Sequence, residues 1–264
     1  MDLLLLGTGA SDGWPNAFCR CDSCLDQRSR GETRTPMSVL VDGRLLLDCG
    51  PEAPRQALRA GIDLAEVDAV LVTHAHHDHL DPSFLMHRSW VSTRPLVLAG
   101  PEPVIAGSRP WVAPDQTVID FQTLTPGQSL TLAGYRVHTI PARHQAFGQA
   151  LLYVIEGPDA TVLYATDTGP WLPEALSLLA GHRLDLVLLE ETFGDADSPE
   201  SHHNLSSFAT AVDDLRRLGC VDDTTRVVAI HLGHHNPPLP ELTERLATLG
   251  AEVHPDLARL RITR

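Results

Sequence analysis

Short runs of apolar residues recur along this chain, and several end on an ionisable side chain. Runs at residues 3–6, 38–41, 45–48, 69–72, 96–99, 118–121, 135–140, 151–155, 161–165, 184–189 and 227–230 predict β-strands. The run at 69–72 reads as a buried strand. Asp42-Gly43 between the second and third runs predicts a tight hairpin. Helical spacing appears over 54–60, 205–218 and 240–249, and each stretch stops at a glycine (Gly61, Gly219 and Gly250). Gly7-Thr8-Gly9 turns the chain after the first run but is no dinucleotide fingerprint, because the third glycine is misplaced and no helix pattern follows. A β-rich region, a helix, then further strands and helices predict two sheets packed inside outer helices. No repeat or low-complexity segment interrupts this order, and residues 190–201 read as the most mobile loop.

At 264 residues the expectation is one domain spanning 1–264. The formal net charge of -14 argues against a protein that grips nucleic acid through its phosphates. It leaves room for a small phosphorylated substrate, since bound metals can invert the local field. All 20 basic residues are arginine, which removes lysine Schiff bases, P-loop capture and lysine general bases. The acidic start Met1-Asp2 and its short apolar run do not read as a signal peptide, and no stretch has the length of a membrane span. The five cysteines are an odd number with three crowded together, unlike a secreted disulfide framework. A cytoplasmic protein with thiols reserved for metal is the expectation.

Candidate chemistry concentrates in Thr73-His74-Ala75-His76-His77-Asp78-His79, an H-x-H-x-D-H pattern fed by the run at 69–72. Imidazole and carboxylate donors at a strand mouth suit a divalent metal. So short a segment cannot wrap all its donors around one ion, so the spacing suggests two, with His74 and His76 on one and Asp78 and His79 on the other. Later strand ends add His144, Asp167 and His231. Such donors accept zinc, manganese or iron.

With these residues the chain resembles the metallo-β-lactamase superfamily from Leu3 to Asn236. The resemblance implies an α/β fold, the αββα sandwich, with metals at the sheet edges. It implies His74, His76 and His144 as ligands of one ion, and Asp78, His79 and His231 as ligands of the other. Asp167 would bridge them, Asp78 would also count among the catalytic groups, and Asp48 would orient the site without binding metal.

Cys19-Arg20-Cys21-Asp22-Ser23-Cys24 offers three thiols in a C-x-C-x-x-C pattern, which need a fourth donor to close a structural zinc site. His234 and His235 both follow His231 closely enough to supply it. Cys49 and Cys220 stand apart and read as core residues. The chain is similar to the phosphoribosyl cyclic phosphodiesterase branch of the superfamily, which carries such a zinc. That likeness implies His234 as the fourth ligand and allows a homodimer. It also implies a general acid three residues before the first leucine of the helix at 205–218, which falls on His202, with His203 as the adjacent alternative. Arg143 is a weaker candidate for a phosphate contact. The expected activity is metal-dependent hydrolysis of a small cyclic phosphodiester. The rival readings are a tRNA 3′-processing nuclease, a lactonase or thioesterase, and a metalloprotein like the superfamily's member in pyrroloquinoline quinone synthesis. The first of these normally carries a Gly- and Lys-rich arm that this chain lacks.

Overall fold

Strand formation begins at the N-terminus, where Leu3 and Leu5 face one way and Leu4 and Leu6 the other, all buried. The computed structural model describes residues 1–113, 118–144 and 147–263. In chain order these form β1 (Asp2–Gly7), α1 (Asp22–Arg30), β2 (Ser38–Val41), β3 (Leu45–Leu47), α2 (Ala53–Arg59), β4 (Ala69–Leu71) and α3 (Ser83–Ser89). Next come β5 (Leu96–Gly100), α4 (Glu102–Ser108), β6 (Ile119–Thr123), β7 (Ser129–Leu132), β8 (Tyr135–Pro141), β9 (Leu151–Glu156) and β10 (Thr161–Ala165). The chain closes with α5 (Pro173–Leu179), β11 (Leu186–Glu190), α6 (Leu205–Arg217), β12 (Arg226–Ile230), α7 (Leu239–Thr248), β13 (Ala251–Val253) and β14 (Arg259–Arg261).

The strands build two seven-stranded mixed sheets, ordered β14-β1-β2-β3-β4-β5-β6 and β13-β12-β11-β10-β9-β8-β7. One apolar layer lies between them, with Leu5, Val39, Leu47 and Leu71 from the first meeting Val137, Tyr153, Tyr164 and Leu188 from the second. A second layer packs α2, α3 and α4 onto the outer face of sheet one through Ala57, Leu85 and Val104. A third packs α5, α6 and α7 onto sheet two through Leu179, Phe208, Leu215 and Leu242. This is the αββα sandwich. Among the described residues no helix is long and apolar enough to cross a membrane.

Topology decides where the chemistry falls. β3 and β4 run parallel, as do β10, β11 and β12. β8 and β10 are both antiparallel to β9, so β8 shares their direction. The carboxyl ends of these strands therefore open along common sheet edges, where ligands collect in α/β sheets.

The outline of most predicted elements holds within a residue or two. Several short elements carry no sequence signal strong enough to separate them from loops: α1, α3, α4, α5, β7, β13 and β14. α1 is the notable one, because Cys24 sits buried inside it rather than on an open loop.

Candidate metal centre

Site residues occupy the turns just beyond the strand ends. Asp48 follows β3, His74 to His79 follow β4, His144 follows β8, Asp167 follows β10 and His231 follows β12. Asp48, Asp167 and His231 all adopt left-handed backbone conformations, with φ of 57°, 51° and 55°. Non-glycine residues rarely take this form, and it concentrates where surrounding structure enforces a geometry. Gly50 permits a close approach: a Cβ there would lie 1.9 Å from the Asp78 carbonyl oxygen, so only glycine lets the histidine-rich turn pack against β3's exit.

The donors gather into two groups that share one carboxylate. His74, His76, His144 and Asp167 form one, and Asp78, His79, Asp167 and His231 the other. In the first, His76 Nδ1 is 2.8 Å from His74 Nε2 and 2.9 Å from His144 Nε2. Asp167 Oδ1 lies 3.9 and 3.7 Å from the same two nitrogens. In the second, Asp167 Oδ2 is 2.9 Å from His79 Nε2 and 3.3 Å from His231 Nε2. Asp78 Oδ2 completes it at 3.0 and 3.7 Å.

Surrounding hydrogen bonds fix which nitrogen each ring turns inward. His79 Nδ1 donates to Asp48 Oδ2 at 2.7 Å, and Tyr164 and Thr73 hold the same carboxylate at 2.8 and 3.0 Å. His231 Nδ1 is 3.0 Å from Thr192 Oγ1, which donates in turn to Glu190. His144 Nδ1 donates to the Ser201 carbonyl at 3.3 Å. Metal-binding histidines are oriented in this way.

The electrostatics call for positive charge. Burial penalises the charge on Asp167, yet His231 and His79 hold its carboxyl well below the usual range. Burial alone would lower His79, but Asp167, Asp78 and Asp48 together raise it strongly. His74 is held well below the ordinary imidazole value by burial and by His79, so it stays a neutral donor. His79 Nε2 and His231 Nε2 are buried and face the Asp78 and Asp167 carboxylates without a well-aligned hydrogen bond. Two such nitrogens facing buried carboxylates fit divalent ions, and these residues could hold them.

His202 and His203, adjacent in sequence, part company in space. His202 lies over His231 with rings 8° from parallel and centroids 5.8 Å apart, and it approaches His144 at 4.9 Å. Its Nδ1 donates to both oxygens of Glu190 at 3.1 Å. Burial pulls this imidazole down, but Glu190 outweighs it and carries the value up to about 9. His203 is fully buried, with Nδ1 3.0 Å from Ser207 Oγ and its ring against Trp171, and burial lowers it to about 4. Some of the N–H groups that a helix start leaves unpaired are taken up at α6. Asn204 accepts from Ser207 N in a reciprocal capping box, an arrangement worth about 1 kcal/mol.

Cys19, Cys21 and Cys24 converge as a three-thiol group without a His234 nitrogen. Instead His234 Nδ1 donates to Asp12 at 2.7 Å, and Cys21 Sγ is 3.7 Å from the His234 carbonyl. Cys49 and Cys220 are buried in the core layers. Arg143 is engaged elsewhere, donating through Nε to the Pro170 carbonyl at 2.7 Å with Glu200 3.6 Å away. Residues not singled out from sequence include Glu190, Thr192 and Tyr164, whose roles depend on side chains brought from other strands. Phe147, stacked edge-on against His76, and Phe193, paired with His235, add an aromatic rim.

The chain matches the beta-lactamase superfamily domain over residues 43–232. A ribonuclease Z of Mycobacterium sp. (strain KMS) is 30% identical over 222 residues, covering 74% of each chain. An octanoyltransferase of Porphyromonas gingivalis (strain ATCC BAA-308 / W83) is 45% identical over 83 residues, 30% of this chain. The chain spans only 16% of that relative's length. Among solved structures, a new diphosphatase from the PhnP family superposes with a TM-score of 0.76 at 22% identity, over 98% of this chain and 97% of that one. Zn(2+)-bound PqqB from Methylobacterium extorquens gives 0.76 at 21% identity, over 99% and 100%. Domain match and architecture agree, and this chain belongs to the metallo-β-lactamase superfamily of hydrolases.

Proposed function

We infer that this chain hydrolyses a small phosphodiester, of the cyclic kind, with two divalent ions held by seven protein donors. The observation that carries this reading is the division of Asp167, whose Oδ1 faces His74 and His144 while Oδ2 faces His79 and His231. A carboxylate shared in this way suits a dinuclear site of zinc, manganese or iron. Bound there, the ions would supply Lewis acidity toward phosphoryl oxygens and acidify a water toward neutral pH.

The chain's own residues do the rest. Asp48, Thr192 and Ser201 hold the ligand rings in place. Hydrolysis forms one P–O bond to water and breaks one to the leaving alkoxide, which then needs a proton. His202 supplies it from Nε2, since Nδ1 is committed to Glu190. His203, neutral and turned to Ser207, takes no part. Cys19, Cys21 and Cys24 would hold a structural zinc. His234, whose nitrogens lie outside the three-thiol group, would supply the fourth donor by turning Nε2 toward it, its Nδ1 being taken by Asp12.

RNA cleavage is the second reading, favoured by the ribonuclease Z relative. The charge of -14 and the engagement of Arg143 weigh against it. Metal-replete, untagged protein assayed on five-membered cyclic phosphates, acyclic diesters, precursor tRNA, lactones and thioesters separates these cases. A cyclic diester should be turned over with kcat/KM of about 10⁴ M⁻¹s⁻¹ or more. Turnover confined to tRNA, to carboxylic esters or to nothing in the panel would overturn the proposal.

A further inference from the structure

Away from the strand-end site, another set of donors meets on the outer face of sheet two. His138 on β8 stands opposite Ser129 on β7 and Val154 on β9. Glu156 lies two residues beyond Val154, so the alternation of the strand puts it on the same face, diagonal to His138. His182 reaches that face from the turn after α5. Glu156 Oε2 is 3.3 Å from His138 Nε2, and Oε1 is 3.2 Å from His182 Nδ1. The two rings are 4.7 Å apart, and one ligand atom from each residue lies within 4.8 Å of the others.

Glu156 lies within ion-pair distance of both rings, and the setting of His138 is the more telling. Its Nδ1 is 2.8 Å from Ser129 Oγ, which fixes the ring, while Nε2 is buried and faces Glu156 Oε2 at 3.3 Å without a well-aligned hydrogen bond. An imidazole oriented from behind and turned toward a carboxylate and a second imidazole is presented as a metal ligand is. Donors on a tetrahedral zinc, with bonds of about 2.0–2.1 Å, sit roughly 3.3 Å apart. The histidine–glutamate separations of 3.3 and 3.2 Å are close to that value, one to each carboxylate oxygen. Burial and the nearby His138 hold His182 below the ordinary imidazole value, favouring the neutral form a metal takes. The side chains are 16, 35 and 17% exposed, which leaves an ion a path in and room for water on its open side.

We propose that His138, Glu156 and His182 form a third metal site, taking a divalent late-transition ion such as zinc or nickel and clamping the α5–β11 turn onto β8 and β9. It shares no residue with the strand-end site or the thiol group.

The test uses full-length, untagged protein already carrying its other metals. Zinc bound per chain is measured after equilibrium dialysis for the wild type, Glu156→Gln and His182→Ala. Ring ¹⁵N signals of His138 and His182 are followed in the wild type as zinc is added. The wild type should bind one equivalent more than either variant, the variants' affinity falling by at least about tenfold. Both ring signals should shift, and diesterase activity should be equal in all three proteins. Equal stoichiometry across the three, or ring signals unmoved at saturating zinc, would overturn the proposal. The ring signals decide the matter even if a variant folds poorly.

Discussion

Asp48 accepts a 2.7 Å hydrogen bond from His79 Nδ1, and that bond selects Nε2 as the nitrogen turned toward Asp167. Asp48→Asn keeps the size of the side chain and weakens the acceptor. Metal affinity at the group holding His79 should fall by about 10–100-fold, read by competition with a chelator. Undiminished affinity would reduce Asp48 to a packing residue.

His202→Ala should slow hydrolysis of an alkyl phosphodiester by about 10²–10⁴. A nitrophenyl ester, whose leaving group needs no proton, should lose much less. Equal losses on both substrates would remove His202 from the donor's role. His203→Ala should spare the rate constant and act on stability instead, since that ring is fully buried.

Gly50 faces the Asp78 carbonyl so closely that an added methyl must move backbone. Gly50→Ala should cost about 1–3 kcal/mol in denaturant unfolding and release metal from the group containing Asp78. A variant with unaltered metal content and stability would mean that the turn yields freely.

If the thiols hold zinc, Cys21→Ser should lose one zinc per chain and melt at lower temperature, while the ions at the strand ends stay. Elemental analysis with a melting curve checks both points. Full metal content together with an unchanged Tm would dismiss the structural zinc.

Glu191 gives a pH signature separate from the metals. Burial pushes its carboxyl from the ordinary 4.5 up to about 8. Its Oε2 and the Oδ1 of Asn236 both lack hydrogen-bond partners. The folded chain therefore keeps a proton that the unfolded chain has released. Stability should fall as pH rises from about 4.5 to about 8 and level off above that. Glu191→Gln should abolish this slope, so its Tm advantage over the wild type should grow across the window. Parallel curves for the two proteins would contradict the assignment.

That these residues converge was legible because their spacing is local or sits at strand ends that apolar runs announce. The H-x-H-x-D-H turn needs only adjacent residues, and Asp167 and His231 each close a buried strand. Glu190 was visible only as the end of β11. Its bond to His202 depends on how residues 191–201 fold back, which no periodicity encodes. The same limit applies to His202 and His203, identical in type and neighbours in sequence, which are told apart by Ser207 and Trp171. The cross-strand meeting of His138 and Glu156 required the register of β8 on β9, and His182 required the path of the chain after α5.

The left-handed backbone at Asp48, Asp167 and His231 sets a conflict between folding and chemistry. Glycine would sit at each of these positions more comfortably, and it would abolish the donor or its support. A chain that retains all three residues therefore carries about 1–3 kcal/mol of backbone strain at each, which packing elsewhere has to offset.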